Sequence, residues 1–347
     1  MLNTCSCDIL MATVKQKRLF MQRMRRILIL ITILTFNTSC IFSQNVNYSF
    51  TGKLLYVEGS ELTSGTFGNI VMIDSEKKEK RMITADFHFD ESPFLTSDQK
   101  RVIFLSKRRK GDRAHGLSKW SDVYSYELET GEIKEYGGAK TKGIMTLFGL
   151  DSLDNPIIED VNKELNREIT ITSSDQSFYP EPIGNSAIRR LFLARDSTLI
   201  VGNYLNKGVV YNLNVFTYDY ERKIFRSLLK DKIEEETNTK FTEKFSCRAG
   251  GFMSENKVLI LCELYSSKIS KLYRFDLKNG ELSMIRDIGN LSIFDSPVTN
   301  DGGKHIFFIA APFDNERDEE IWMYEEATDE LVKITDNRYR KTGLMVY

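Results

Sequence analysis

The side chains best suited to chemistry are unevenly spread along the 347 residues. The stretch SKRRKGDRAHGLSKWSD, residues 106–122, sets Arg108, Arg109, Arg113 and His115 near Trp120. Cations beside an aromatic ring could grip a phosphate, an anionic sugar or single-stranded nucleic acid. A solvated surface loop has the same composition, since charge runs are commonly just exposed. DNERDEE, residues 314–320, is acidic. Calcium asks for about six to eight oxygens in a tight arrangement. These acids are crowded together, without the sustained alternation or the glycine of a calcium loop, and no calcium site is expected there. Only three histidines occur, His88, His115 and His305. There is no HExxH or CxxC spacing and no GxSxG elbow. No metal site and no cofactor is expected.

Bulk composition narrows the partners. Lys+Arg number 48 and Asp+Glu 49, a net charge of -1. A near-neutral chain has no global electrostatic reason to seek nucleic acid, and none is expected as a partner. A hydrophobic share of 41% supports a core, and 11% aromatics lean towards β structure.

The first residues read as an address. Arg23, Arg25 and Arg26 precede an apolar run from Ile27 to Phe36, and small and polar residues follow. That order is a secretory signal, too short to span a bilayer comfortably. Met21 or Met24 would be a more ordinary start than Met1. Two endings stay open: cleavage after Ser43, or lipidation at Cys40 in NTSC, although Asn37 stands where a lipoprotein box usually has Leu. Residues 1–43 are therefore expected to be a leader and residues 44–347 one domain. Without the leader only Cys247 and Cys262 remain.

The elements that would position any site come from a repeat. A turn followed by an apolar run appears in DESPFLTSDQKRVIFLS from Asp90 and again in FDSPVTNDGGKHIFFIAA from Phe294. Looser versions start at Phe50, Leu147, Leu191 and Gly251. A second piece follows each, starting at Asn69, Asp122, Glu168, Asn214, Lys271 and Glu320. Intervals of roughly 50 residues suit propeller blades. KRVIFLS, KVLILCEL and KHIFFIAA are continuous apolar runs, as expected of strands covered on both faces. ETGE, KNGE and ATDE favour tight hairpins. The charged strands after them, such as EIKEY, suit outer edges. The expected fold is all-β, a six-bladed β-propeller of four-stranded antiparallel blades.

These stretches also carry a resemblance. ESPFLTSDQKRVIFLSKRRKG…SDVYSYELETGEIKEY and DSPVTNDGGKHIFFIAA…EEIWMYEEATDELVKIT are similar to the repeat of TolB-like β-propellers, roughly SPxFSPDGKxIxFxS…DIYxxDLxTGxxxxLT. The matching residues are those of turns and cores, so the resemblance speaks to fold more than activity. It implies an exported protein of the Gram-negative envelope, in the periplasm or at the outer membrane or cell surface. Membrane contact would come only through a lipid anchor. The function it implies is non-catalytic binding or scaffolding, with another envelope protein or a peptide segment as partner. The alternative is a propeller hydrolase acting on a glycan through channel carboxylates.

Three placements follow. The segments between blades put His88, Asp90, Glu91 and Asp295 at the channel mouth, with Arg248 beside them; capping turns before Pro is the plainer role for Asp90 and Asp295. The terminal strand, residues 343–347, should pair with the first blade near NVNYSF or KLLYV and close the ring. If SCRAGGFMSENKVLILCEL turns between Ser254 and Glu255, Cys247 faces Cys262 at the short Cβ separation of a disulfide. Two separate buried thiols are the other reading.

Overall fold

Turn residues set the repeat. Gly131 in ETGE and Gly280 in KNGE have φ of 74° and 70°, and Asp329 in ATDE has φ of 57°. This left-handed backbone reverses the chain tightly between the third and fourth strands of a blade. In the computed structural model, which describes residues 50–59, 68–85, 88–108, 121–137, 141–161, 167–173, 176–180, 188–194, 198–205, 213–229, 245–265, 267–337 and 339–347, six four-stranded antiparallel sheets result.

Blade 1 contains β1 (Lys53–Gly59), β2 (Gly68–Asp74) and β3 (Glu79–Met82). Blade 2 is β4 (Asp90–Leu95), β5 (Arg101–Ser106), β6 (Asp122–Glu127) and β7 (Ile133–Glu135). Blade 3 is β8 (Thr146–Leu150), β9 (Pro156–Val161), β10 (Arg167–Ile171) and β11 (Gln176–Phe178). Blade 4 is β12 (Ile188–Leu193), β13 (Leu199–Leu205), β14 (Leu213–Asp219) and β15 (Ile224–Ser227). Blade 5 is β16 (Phe245–Ser254), β17 (Lys257–Leu264), β18 (Ile269–Asp276) and β19 (Leu282–Gly289). Blade 6 is β20 (Leu291–Ile293), β21 (His305–Pro312), β22 (Glu320–Glu325) and β23 (Glu330–Lys333). The last strand, β24 (Arg340–Val346), returns to blade 1. Among the described residues there is no α-helix, and no helix long and apolar enough to cross a membrane.

Burial follows the expected order across each blade. The second strands β5, β17 and β21 are buried almost throughout, while the outer β7, β15 and β23 are largely exposed. Apolar side chains gather into six clusters, one at each junction of neighbouring blades. Ile103, Leu105 and Val123 of blade 2 meet Ile144, Leu147 and Ile158 next to them. Phe307, Ile309 and Met323 of blade 6 meet Leu54, Tyr56 and Leu344 of blade 1. The core is therefore a ring, and each junction depends on two blades.

The ring closes through β24, which pairs with β1 from Leu54↔Val346 to Gly59↔Arg340. The expected partner KLLYV is the one used. Lys53 and Tyr347 add reciprocal N–H to carbonyl bonds of 2.8 and 2.9 Å.

The Ser-Pro steps shared by the two clearest repeats have a packing role. Ser92 has φ of 51°, and the β4–β5 ladder skips between Glu91 and Phe94. After β20, the ladder resumes at Val298↔Phe307, passing over Ser296 and Pro297. Each resulting bulge leans on a glycine of the preceding blade's inner strand. A Cβ at Gly343 would sit 3.3 Å from Pro93 Cδ, and one at Gly250 would sit 2.6 Å from Pro297 Cγ.

Cys247 and Cys262 stand opposite each other and form a disulfide, Cα–Cα 4.1 Å. The hairpin reaches this register by a different route from the simple count. Ser254 pairs with Lys257, so the turn lies at Glu255–Asn256, one residue late. Irregularities between Ala249 and Phe252, with Gly251 at φ 84°, and between Phe252 and Ser254 restore the offset.

Candidate functional site

The two ends of the channel differ in chemistry. At one end the inner strands begin and the second strands finish, with Asp90 facing Ser106 and Phe245 facing Leu264; this is the loop mouth. At the other, short hairpins such as Thr96–Lys100 join first to second strands; this is the turn mouth.

Buried charge concentrates at the loop mouth. Asp90 opens β4 with no exposed surface and accepts from Arg108 Nη2 on both oxygens, at 3.0 and 2.8 Å. The Arg108 guanidinium lies 5.2 Å from the ring centres of Phe104 and Tyr124. In blade 3, Glu159 accepts from Arg167 at 3.0 Å and from Thr146 at 3.0 Å. In blade 5, Glu263 lies 3.5 Å from Arg248 Nη1 and accepts from Ser292 at 2.8 Å. Glu58 takes Lys80 at 2.8 Å and Asn337 at 2.6 Å. Glu320 takes Lys341 Nζ at 2.8 Å, and that fully buried ammonium also donates to the carbonyls of Glu319 and Tyr339 at 2.7 Å each. Buried charge is tolerated only when paired and hydrogen-bonded, and each of these is.

Burial still tells on some of these groups. It holds the Glu91, Glu263 and Glu319 carboxyls above the ordinary glutamate range, against the opposing pull of Lys107, Arg248 and Arg340 respectively. Burial, then the charge of Glu159, pushes the Tyr179 phenol up to about 12.

The sequence candidates separate in space. His88 and Glu91 lie half-buried at the loop mouth, Glu91 within 3.4 Å of Ser121 Oγ. Arg248 turns to Glu263. Asp90 is sealed beneath Arg108. Asp295 sits at the closing seam, where Oδ2 accepts the N–H groups of Gly343 at 2.7 Å and Leu344 at 3.2 Å. Of the basic loop, Arg108 is described and serves Asp90; Arg109, Arg113, His115 and Trp120 lie outside the described residues, as does Cys40. Among the described residues no group of His, Cys, Asp and Glu is arranged to hold a metal.

Sequence reasoning missed the interior of the channel. Arg190 of blade 4 reaches across the ring to blade 1 and donates to the Leu344 carbonyl at 2.7 Å. Beyond it, at the turn mouth, lies a cavity of about 570 Å³ lined by inner strands, with Phe94, Phe148, Phe192, Phe252 and Met345 among its walls. In the sequence these residues look like any strand-end apolar residue. The Phe of the SPF step was the one available signal.

No family model and no curated protein matches the sequence. Solved structures do resemble it. TolB from Acinetobacter baumannii superposes with a TM-score of 0.56 at 14% identity, over 86% of this chain and 65% of that one. The chain thus spans just under two thirds of that protein's length. A TolB-type protein from Agrobacterium tumefaciens gives 0.55 at 8% identity, over 84% and 91%. An oligogalacturonate lyase in complex with manganese gives 0.52 at 12% identity, over 87% and 77%. TolB proteins and a lyase share the scaffold at such low identity that the likeness establishes the fold alone, a six-bladed propeller.

Proposed function

We propose that the protein is an exported, non-catalytic binding or scaffolding propeller of the bacterial periplasm or cell surface. Its loop mouth holds another envelope protein or a peptide segment of one. One observation carries this reading over a glycan hydrolase. Hydrolysis needs two available carboxyls roughly 5–10 Å apart. The buried carboxylates of the loop mouth are already engaged: Asp90 by Arg108, Glu159 by Arg167, Glu263 by Arg248, Glu320 by Lys341. What such a mouth offers is a rigid, mixed polar surface ringed by loops, the usual place for recognition on a fixed scaffold.

Export rests on the leader pattern of residues 1–43, ending at Ser43 or at a lipid on Cys40. The bonded Cys247–Cys262 pair fits an oxidising compartment. Similarity to TolB proteins supports an envelope partner, and the partner's identity is a matter for experiment.

The test is affinity recovery of tagged protein from gently crosslinked envelopes, followed by mass spectrometry. Wild type is compared with a variant carrying His88→Ala and the exposed Arg189→Ala. One envelope protein should co-purify with wild type and fall sharply in the variant, at unchanged melting temperature. Equal recovery would contradict the reading. Release of reducing ends from oligosaccharides would replace it with the hydrolase.

A further inference from the structure

The cavity at the turn mouth has its own chemistry. Its volume of about 570 Å³ is within the range of small-ligand sites. Its walls are aromatic and aliphatic: Phe94, Phe148, Phe192, Phe252 and Val298. Asp151 and Asp154 are the charged residues of the lining, and the Arg190 guanidinium, 5.7 Å from the Phe192 ring and bonded to the Leu344 carbonyl, marks its inner end.

Both carboxylates are held in place without being neutralised. Asp154 accepts from the Ser97 N–H and hydroxyl, each at 2.8 Å. Asp151 accepts from the N–H groups of Leu153 and Asn155 at 2.9 and 2.8 Å, from Asn155 Nδ2 at 3.2 Å and, on its other oxygen, from the Ser173 hydroxyl. Among the described residues, neither has a Lys or Arg nitrogen within 4.0 Å. An ionised carboxylate has about four lone-pair sites, so Asp154 keeps room for another donor. On the side towards the loop mouth, Arg190 crosses the channel to the Leu344 carbonyl. A threading polypeptide would meet that crossing, whereas a small molecule would not.

We propose that this cavity binds a small amphipathic cation: an aryl or alkyl ammonium whose apolar body lies against the phenylalanines and whose charge meets Asp154, with the Asp151 charge nearby adding to the field. Phenylalanine faces add attraction for the same cation. The site is separate from the loop mouth, and neither reading depends on the other.

Calorimetric titration with a matched pair, 4-phenylbutylammonium and 4-phenylbutyrate, tests it. The purified protein should bind the ammonium about tenfold more tightly, the size of a partly screened charge contact. Replacing both acids, Asp151→Asn with Asp154→Asn, should bring the two affinities within about twofold. A second variant needs no change of charge. A Cβ at Gly149 meets only Phe94 Cε1, at 3.9 Å, so Gly149→Leu grows into the cavity without striking backbone. It should abolish binding of both probes while the protein still melts cooperatively. Equal or tighter binding of the carboxylate, no binding of either probe, or ammonium binding undisturbed by Gly149→Leu would each overturn the proposal. A blocked lysine-centred hexapeptide that competes as well as the amine would overturn its assignment to a small molecule.

Discussion

Replacing Asp295 with Ala should loosen the ring at its seam. The carboxylate holds the backbone of β24 through the N–H groups of Gly343 and Leu344, while Glu319 of the same blade takes the Lys341 N–H at 3.3 Å nearer the loop mouth. Hydrogen bonds to a charged group contribute about 1.5–3 kcal/mol each. Alanine removes both and leaves two donors in a seam where Leu344 is fully buried, so a loss of about 3–5 kcal/mol is expected. Domains of this size shift by roughly 2 °C per kcal/mol, which gives a fall of about 6–10 °C. Asp295→Asn keeps an acceptor oxygen and should lose about half as much. Two assays read the result: calorimetry for the melting temperature, and amide hydrogen exchange for residues 340–346. Exchange in β24 should quicken before that of β5 or β17, because the seam opens first. A melting shift under about 1 °C with β24 still protected would refute the reasoning.

Other expectations are equally specific. Cys247→Ser with Cys262→Ser opens a loop of sequence separation 15 and should cost about 3 kcal/mol in urea titration; an unchanged midpoint would count against the bridge. Gly250→Ala forces a Cβ to within 2.6 Å of Pro297 and should destabilise by about 2 kcal/mol or more, whereas Gly149→Ala should be nearly neutral; the reverse order would contradict the packing of the Ser-Pro bulge. Glu91→Gln should raise the melting temperature at pH 7. Burial raises the folded-state pKa of Glu91, so its protonated form favours folding, and that contribution fades as pH climbs through the folded pKa. Below the unfolded value both states are protonated and the variant should match wild type; a gain that persists at pH 3 would show that charge is not the cause.

Much of the fold was legible because its signals are local. The apolar runs of β5, β17 and β21 declare burial on two faces, and the Gly and Asp of the tight turns occupy left-handed backbone where only such residues sit easily. Ring closure was legible too, since an apolar strand at the end of the chain needs a partner. The cysteine register came out through compensating offsets, a late turn and irregular pairing near Gly251, that no count along the chain contains. The sites were harder. Asp90 and Asp295 announced themselves as polar residues in inter-blade segments, but their partners, Arg108 and the β24 backbone, are set by bulges and by closure. The cavity is assembled from inner strands of different blades. Phe148 and Phe192 bear on one ligand only after the ring has formed, and Arg190 gains its role only from a carbonyl on the opposite blade.

Photocrosslinking in living cells tests the central functional claim most directly. A benzophenone side chain is placed at Arg189, exposed at the start of β12 on the loop mouth, and separately at Lys278, exposed in the hairpin between β18 and β19 at the opposite end. The loop-mouth position should yield one discrete adduct with an envelope protein, and the hairpin position none. Adducts from Lys278 alone, or none from either position, would contradict a partner at the loop mouth.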